Sequence, residues 1–245
     1  MVWQVFWVAF VTDLATGLGA IPFAFVRQLS LPWQGMMTSA AAGMMLSASV
    51  FTLTGEALQK GALGLVLVGL LAGAAFFAWT ARLVSGSAWT IGNLSAAESR
   101  QSILVLIAMF IHSIPEGIAI GVGYATGELR FGLLLAVAIA VHNIPEGLAV
   151  SMPLRARGVS VLACAGYAVL TSVPQPLAAV PAYLVVSVFK PLLPIGLGFA
   201  GGAMIFLVVF ELLPESLERC TRDQAAWALM LGLIAMLWMT SMLGV

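Results

Sequence analysis

Phe131-Gly132-Leu133-Leu134-Leu135-Ala136-Val137-Ala138-Ile139-Ala140-Val141-His142-Asn143-Ile144-Pro145-Glu146-Gly147-Leu148-Ala149-Val150-Ser151-Met152 is the stretch that decides the fold. It has the length of a membrane-crossing helix, about 20 mostly apolar residues. Yet it places a histidine and an acid near its centre. The same pattern stands 30 residues earlier, where His112-Ser113-Ile114-Pro115-Glu116-Gly117 matches His142-Asn143-Ile144-Pro145-Glu146-Gly147. The chain has two histidines, and each opens one copy.

Working outward, the rest of the chain is of the same character. Hydrophobic residues make up 62% and charged residues 8%, with mean hydropathy +1.08. A soluble domain carries about 25% charged residues. There is too little polar surface here to coat a globule, so the composition reads as an all-α polytopic membrane protein. Eight stretches are long enough to span: roughly 3–26, 35–55, 61–80, 102–124, 131–152, 159–185, 191–213 and 225–243. No connection is long enough for a second domain, so residues 1–245 read as one transmembrane domain. The longest connection, about 82–101, is small and polar (Ser85, Gly86, Ser87, Asn93, Ser95) and reads as a flexible linker. The sixth span holds Pro174, Pro176 and Pro181 and cannot be one straight helix. The N-terminal apolar run has no basic region before it and reads as the first span, not a cleaved signal. A net charge of zero gives no hint of nucleic acid, and Cys164 and Cys220 sit in settings unlike a disulfide pair.

Orientation follows from Lys and Arg in short loops. With eight spans, Arg27, Arg82, Arg100, Arg155, Arg157, Arg219 and Arg222 fall on one side, and Lys60, Arg130 and Lys190 on the other. The richer side is expected to be cytoplasmic, which puts both termini outside a plasma membrane (the inner membrane in a Gram-negative cell).

In a helix, positions i and i+4 are about 40° apart around the axis, so His112 shares a face with Glu116, and His142 with Glu146. Each histidine lies about ten residues into its span, near the bilayer midplane. Antiparallel neighbours carrying one motif at one depth imply a pseudo-two-fold axis in the membrane plane. Packed side by side, they could aim two imidazoles and two carboxylates at one spot. Pro115 and Pro145 each leave a carbonyl one turn earlier (Ile111, Val141) without its amide partner. Such backbone is tolerated at membrane depth where it faces protein or a wet cavity. An unpaired acid at a helix centre costs roughly 2.5–3.5 kcal/mol, so two cost about 5–7 kcal/mol. No Lys or Arg within either span offsets this. The glutamates are therefore either protonated or neutralised by a cation. A structural hydrogen-bond cluster would explain one motif as well as a metal does; two matched copies favour the metal.

Other polar positions carry less. Asn143 offers an amide oxygen and Ser113 a hydroxyl. Met45 offers a thioether, although core packing is the favoured explanation for it. Gln175 sits between two prolines. Asp13 and Glu211 are intramembrane acids, Asp13 facing a pathway and Glu211 standing with Glu215 at the interface or a cytoplasmic exit.

At this point the chain resembles the ZIP (Zrt-/Irt-like protein) family of divalent metal transporters. That family's signatures are His-x-x-Pro-Glu-Gly in the fourth span and a similar motif in the fifth. Ala15-Thr16-Gly17-Leu18-Gly19-Ala20-Ile21-Pro22, Ala41-Ala42-Gly43-Met44-Met45 and Glu211-Leu212-Leu213-Pro214-Glu215 resemble its first, second and seventh spans. The resemblance implies eight spans and a binuclear metal site between helices 4 and 5. One site would be formed by Met45, His112, His142, Asn143 and Glu146. Its neighbour would use Ser113, Glu116, Asn143, Glu146 and Gln175. It also implies alternating access, with the metal-bearing helices moving as a unit and the divalent ion travelling toward the cytoplasm. Gln175 stands where many members carry glutamate, and Asn143 where some carry an acid, so the second site is poorer in charge here. The linker lacks a histidine-rich tract.

Among rival readings, a di-metal enzyme would use Glu-x-x-His with further carboxylates, and a membrane protease His-Glu-x-x-His or Gly-x-Ser-x-Gly. None of these patterns is present. Two lone histidines behind prolines suit a bis-histidine haem poorly. Broken helices at the midplane favour a transporter rather than an enzyme. Imidazole, carboxylate and amide ligands suit zinc or ferrous iron and tolerate manganese; the resemblance selects Zn2+, with Fe2+, Mn2+ or Cd2+ as further substrates. The expected partners are the metal ion and the bilayer, with a homodimer left open.

Overall fold

The computed structural model describes residues 1–26, 29–86 and 98–242. Among them there is no strand, and eleven α-helices follow one another: α1 Val2–Leu18, α2 Leu31–Ser47, α3 Gly55–Lys60, α4 Leu63–Gly86, α5 Glu98–Ala125, α6 Leu129–Ala156, α7 Val161–Ser172, α8 Pro174–Val188, α9 Leu193–Leu207, α10 Leu213–Arg219 and α11 Arg222–Met242. A π-helical turn, Ala48–Thr54, runs α2 into α3, and another, Val208–Leu212, runs α9 into α10. Seven continuous segments of the described residues are long and apolar enough to cross a membrane. The 28-residue α5, which carries the first motif, stands beside them.

Expected spans and observed helices agree in place but not always in extent. The stretch read as a linker over 82–101 is invaded from both sides, because α4 continues through Leu83 to Gly86 and α5 begins at Glu98. Its polar centre, Ser87 to Ser95, lies outside the described residues, as does Arg27. The sixth span breaks at Val173, where α7 ends and Pro174 opens α8. By contrast, Pro115 and Pro145 sit inside continuous helices. The two cysteines are free.

The helices sort into two bundles by what they pack on. One contains α1, α5, α6, α7 and α8; the other contains α2, α3, α4, α9, α10 and α11. With no hydrophobic drive between helices in lipid, close packing relies on small residues. In the second bundle, α2 and α11 touch through Gly43 and Gly232, each of which lies against a carbonyl of the other helix. The seam between bundles is mainly α5 on α9 and α2 on α6. Gly127, at φ +89°, makes the tight turn that sets α5 and α6 antiparallel. At that end Lys60 pairs with Glu128 and Glu56, and Lys190 Nζ donates to the Ala125 carbonyl at 2.6 Å.

Candidate metal centre

His142 is the fourteenth of the 28 residues of α6, and His112 the fifteenth of the 28 of α5. Both motifs therefore sit mid-helix. Their glycines fix how these helices meet their neighbours. A Cβ on Gly117 would lie 2.3 Å from the Gln175 carbonyl of α8, and one on Gly147 would lie 1.7 Å from the Thr16 carbonyl of α1. No side chain fits either place, so glycine lets α5 seat on α8 and α6 on α1 at motif height. Each acid, one residue before its glycine, is thereby carried into the bundle interior.

There Glu116, His142 and Glu146 converge. One ligand atom from each lies within 4.8 Å of the others, and all three residues are buried. The His142 Nε2 stands 3.3 Å from Glu116 Oε1. Two carboxyl groups this close, with no Lys or Arg on them among the described residues, require a proton or a cation between them. The donor types, one imidazole and two carboxylates, are those of a zinc-type site.

A polar network frames this cluster. Gln175 Nε2 donates to Glu116 Oε2. The Gln175 oxygen accepts from Thr12 Oγ1 at 3.2 Å and from Asn143 Nδ2 at 3.3 Å. Asn143 Nδ2 also donates to the Thr12 carbonyl at 3.0 Å. Thr16 and Ser172 share a hydroxyl bond of 2.8 Å one turn further along α1. Asn143 Oδ1 is buried and has no hydrogen-bond partner. Leaving such an acceptor unmet costs about 1–3 kcal/mol, which a bound cation would relieve.

The remaining expected ligands lie elsewhere. His112 leaves the cluster: its Nε2 meets Glu211 Oε2 at 2.5 Å, and its ring stacks on Phe77 with centroids 5.4 Å apart. Glu211 belongs to the π-helical turn of the other bundle, so this bond crosses the seam. Ser113 Oγ is spent on the Met109 and Thr171 carbonyls, both at 3.1 Å. Met45 is wholly buried in the apolar cluster that also holds Ala119 and Ile139, one turn from the motif acids and imidazole. Asp13 is fully buried, and neither carboxylate oxygen has a hydrogen-bond partner.

The sequence reading undervalued Glu211 and missed Thr12. The available signal for Glu211 was an acid inside an otherwise apolar run, Val208-Val209-Phe210-Glu211-Leu212. What it lacked was the π turn, which adds a residue to the turn and rotates the acid relative to the helix before it.

Fold and site together define a class: a polytopic helical membrane protein with a histidine–carboxylate cluster buried midway along two antiparallel helices. The ZIP Zinc transporter family model matches residues 91–240. Zinc transporter GufA of Myxococcus xanthus is 33% identical over 241 residues, covering 94% of this chain and 95% of that protein. Zinc transporter ZIPB of Bordetella bronchiseptica is 37% identical over a 248-residue alignment, covering 94% and 78%. A protein of Arabidopsis thaliana is 42% identical over 226 residues, and there the chain spans only 36% of the relative's length. The chain belongs to the ZIP zinc transporter family. GufA and ZIPB are named as transporters, not enzymes.

Proposed function

We propose that this protein carries divalent transition-metal ions, zinc foremost, across the membrane toward the cytoplasm by alternating access. The single observation behind this is the buried convergence of Glu116, His142 and Glu146. Zinc follows from the donor set and from the names of GufA and ZIPB; Fe2+, Mn2+ and Cd2+ are admitted by the same ligands.

On this reading His142, Glu116, Glu146 and the free oxygen of Asn143 hold the primary ion. Gln175 acts through Glu116, because its amide nitrogen is bonded there and its oxygen already accepts two bonds. His112 and Glu211 form the next donors, across the seam. Met45, in the apolar cluster that holds Ala119 and Ile139, would close the site from the α2 side, and Ser113 would contribute after releasing its carbonyls.

On this reading α5 brings the spans to eight, so both termini share one side, and the positive-inside rule makes that side the outside of a plasma membrane. The support for this is the gathering of Lys60, Arg130 and Lys190 at one end of the bundle, the arginine-poor end. Alternating access would slide the motif-bearing bundle of α1, α5, α6, α7 and α8 against the other.

The test is uptake into vesicles holding the purified protein, with Zn, Fe(II), Mn, Cd and Co in competition. Zinc accumulation above protein-free vesicles, most strongly reduced by Cd and Fe(II), is expected. Uptake equal to protein-free vesicles for every metal would refute transport.

A further inference from the structure

Beginning at Ile118, two residues past Glu116 in α5, an apolar groove of about 410 Å3 opens on the flank of the molecule. Ile118 and Val122 of α5 form its floor, Ala182 and Val185 of α8 one wall, and Ile195 and Phe199 of α9 the other. Its volume lies within the ligand-pocket range of roughly 300–1,000 Å3. It exists because α8 and α9 each lie along α5 but scarcely touch one another. Ala178, Ala182 and Gly196 face the gap, too small to fill it.

Among the described residues, no polar side chain lines the groove. A water molecule there would lack the two to four partners it needs. In a membrane protein the remaining filler is hydrocarbon. The mouth adds a second property. Lys190 begins the 3-10 turn Lys190–Leu192 that joins α8 to α9, and Leu192 already lines the groove. Lys190 is an exposed residue, and its ammonium gives a part-buried bond to the Ala125 carbonyl. A lysine has three N–H donors, so two are available to an anion at the groove's end.

We propose that this groove binds one anionic phospholipid, with an acyl chain lying between α8 and α9 and the phosphate held by Lys190. The lipid would sit in the seam itself, since α5 and α8 belong to the motif-bearing bundle and α9 to its partner. Any sliding of one bundle past the other would have to repack or expel the chain. The inference needs only the membrane embedding of the protein and not the metal reading.

The experiment is native mass spectrometry of the purified full-length chain, delipidated and then offered phosphatidylglycerol and phosphatidylcholine in equal amounts. Wild type should retain one phospholipid, with phosphatidylglycerol preferred by about fivefold, the ratio one membrane-surface lysine supplies. Ala182→Phe, which puts a ring into the groove, should lose the retained lipid of either headgroup. Lys190→Gln should keep a lipid but lose the preference. Equal retention by wild type and Ala182→Phe, or an unchanged preference in Lys190→Gln, would overturn the assignment. If Ala182→Phe does not fold, the exposed Lys190→Gln variant decides the matter alone.

Discussion

The two copies of the motif differ in one respect. In α6 the whole copy turns inward: His142 and Glu146 both join the cluster. In α5 only the acid does so. Glu116 enters the cluster, while His112, one turn earlier, binds Glu211 across the seam. The glycines behave alike, Gly117 against the Gln175 carbonyl and Gly147 against the Thr16 carbonyl. The glycine shared by both copies thus gives each helix a close approach to a neighbour's carbonyl, and the neighbouring helices decide what each histidine sees. Taken whole, α6 packs mainly on α1, α5 and α7 of its own bundle, whereas α5 also lies along α9 and touches α4 of the other bundle. The doubled motif therefore yields one buried histidine–carboxylate cluster and one link between bundles, instead of a single cluster of all four side chains.

The sharpest way to break this comparison is to delete the histidines one at a time. His142→Ala should weaken zinc binding by more than the roughly 10–100-fold seen when only a ligand's supporting partner is lost. His112→Ala should leave binding to the primary site nearly intact and change the uptake rate instead. Calorimetry on both variants, with vesicle uptake alongside, checks this; equal losses of affinity would mean that the two histidines share a site after all.

A smaller loss is expected at Gln175. Gln175→Ala removes the donor to Glu116, so affinity should drop within that 10–100-fold range, while Gln175→Glu, which adds a charge in a low-dielectric site, should raise the affinity for a second ion. Metal stoichiometry by calorimetry reads both. Loss of all binding in Gln175→Ala would make it a ligand in its own right.

Replacing the glycines tests the half of the comparison in which the copies agree. Gly117→Ala and Gly147→Ala should each destabilise by about 1–3 kcal/mol, as overpacking does, with Gly147→Ala the worse because its Cβ would sit closer to a carbonyl. Thermal melts in detergent give the order. A neutral Gly147→Ala would show that α6 and α1 are not held at this approach.

The mildest perturbation is pH. Imidazole and carboxylates must shed protons to hold a metal, so protons compete with zinc. Affinity should fall as pH drops from about 7 to 5, the range in which histidine takes up a proton. Binding unchanged over that interval would contradict His142 as a ligand.

Most of the fold was legible because it rests on long apolar runs and on prolines. Pro174 marks the break between α7 and α8, and the paired motifs mark mid-helix positions. The face shared by His142 and Glu146 followed from helical spacing alone. What sequence could not reveal was which bundle each face meets. The i to i+4 spacing aligns His112 with Glu116 within about 40°, but that arc is wide enough at a seam for the two side chains to serve different bundles. Glu211 was ambiguous for a related reason: the π turn that presents it to His112 has no signature in Val208-Val209-Phe210-Glu211-Leu212. The network through Thr12 arises from contacts 131 and 163 positions apart in the chain, beyond the reach of local pattern.

On the proposed function, the ion passes through the cluster in the first bundle. This is tested most directly by zinc uptake into vesicles containing either wild type or the His142→Ala, Glu146→Ala double variant, matched for folded protein by gel filtration. Wild type should accumulate zinc, and the double variant should show only the background rate. Equal rates for the two proteins would contradict it.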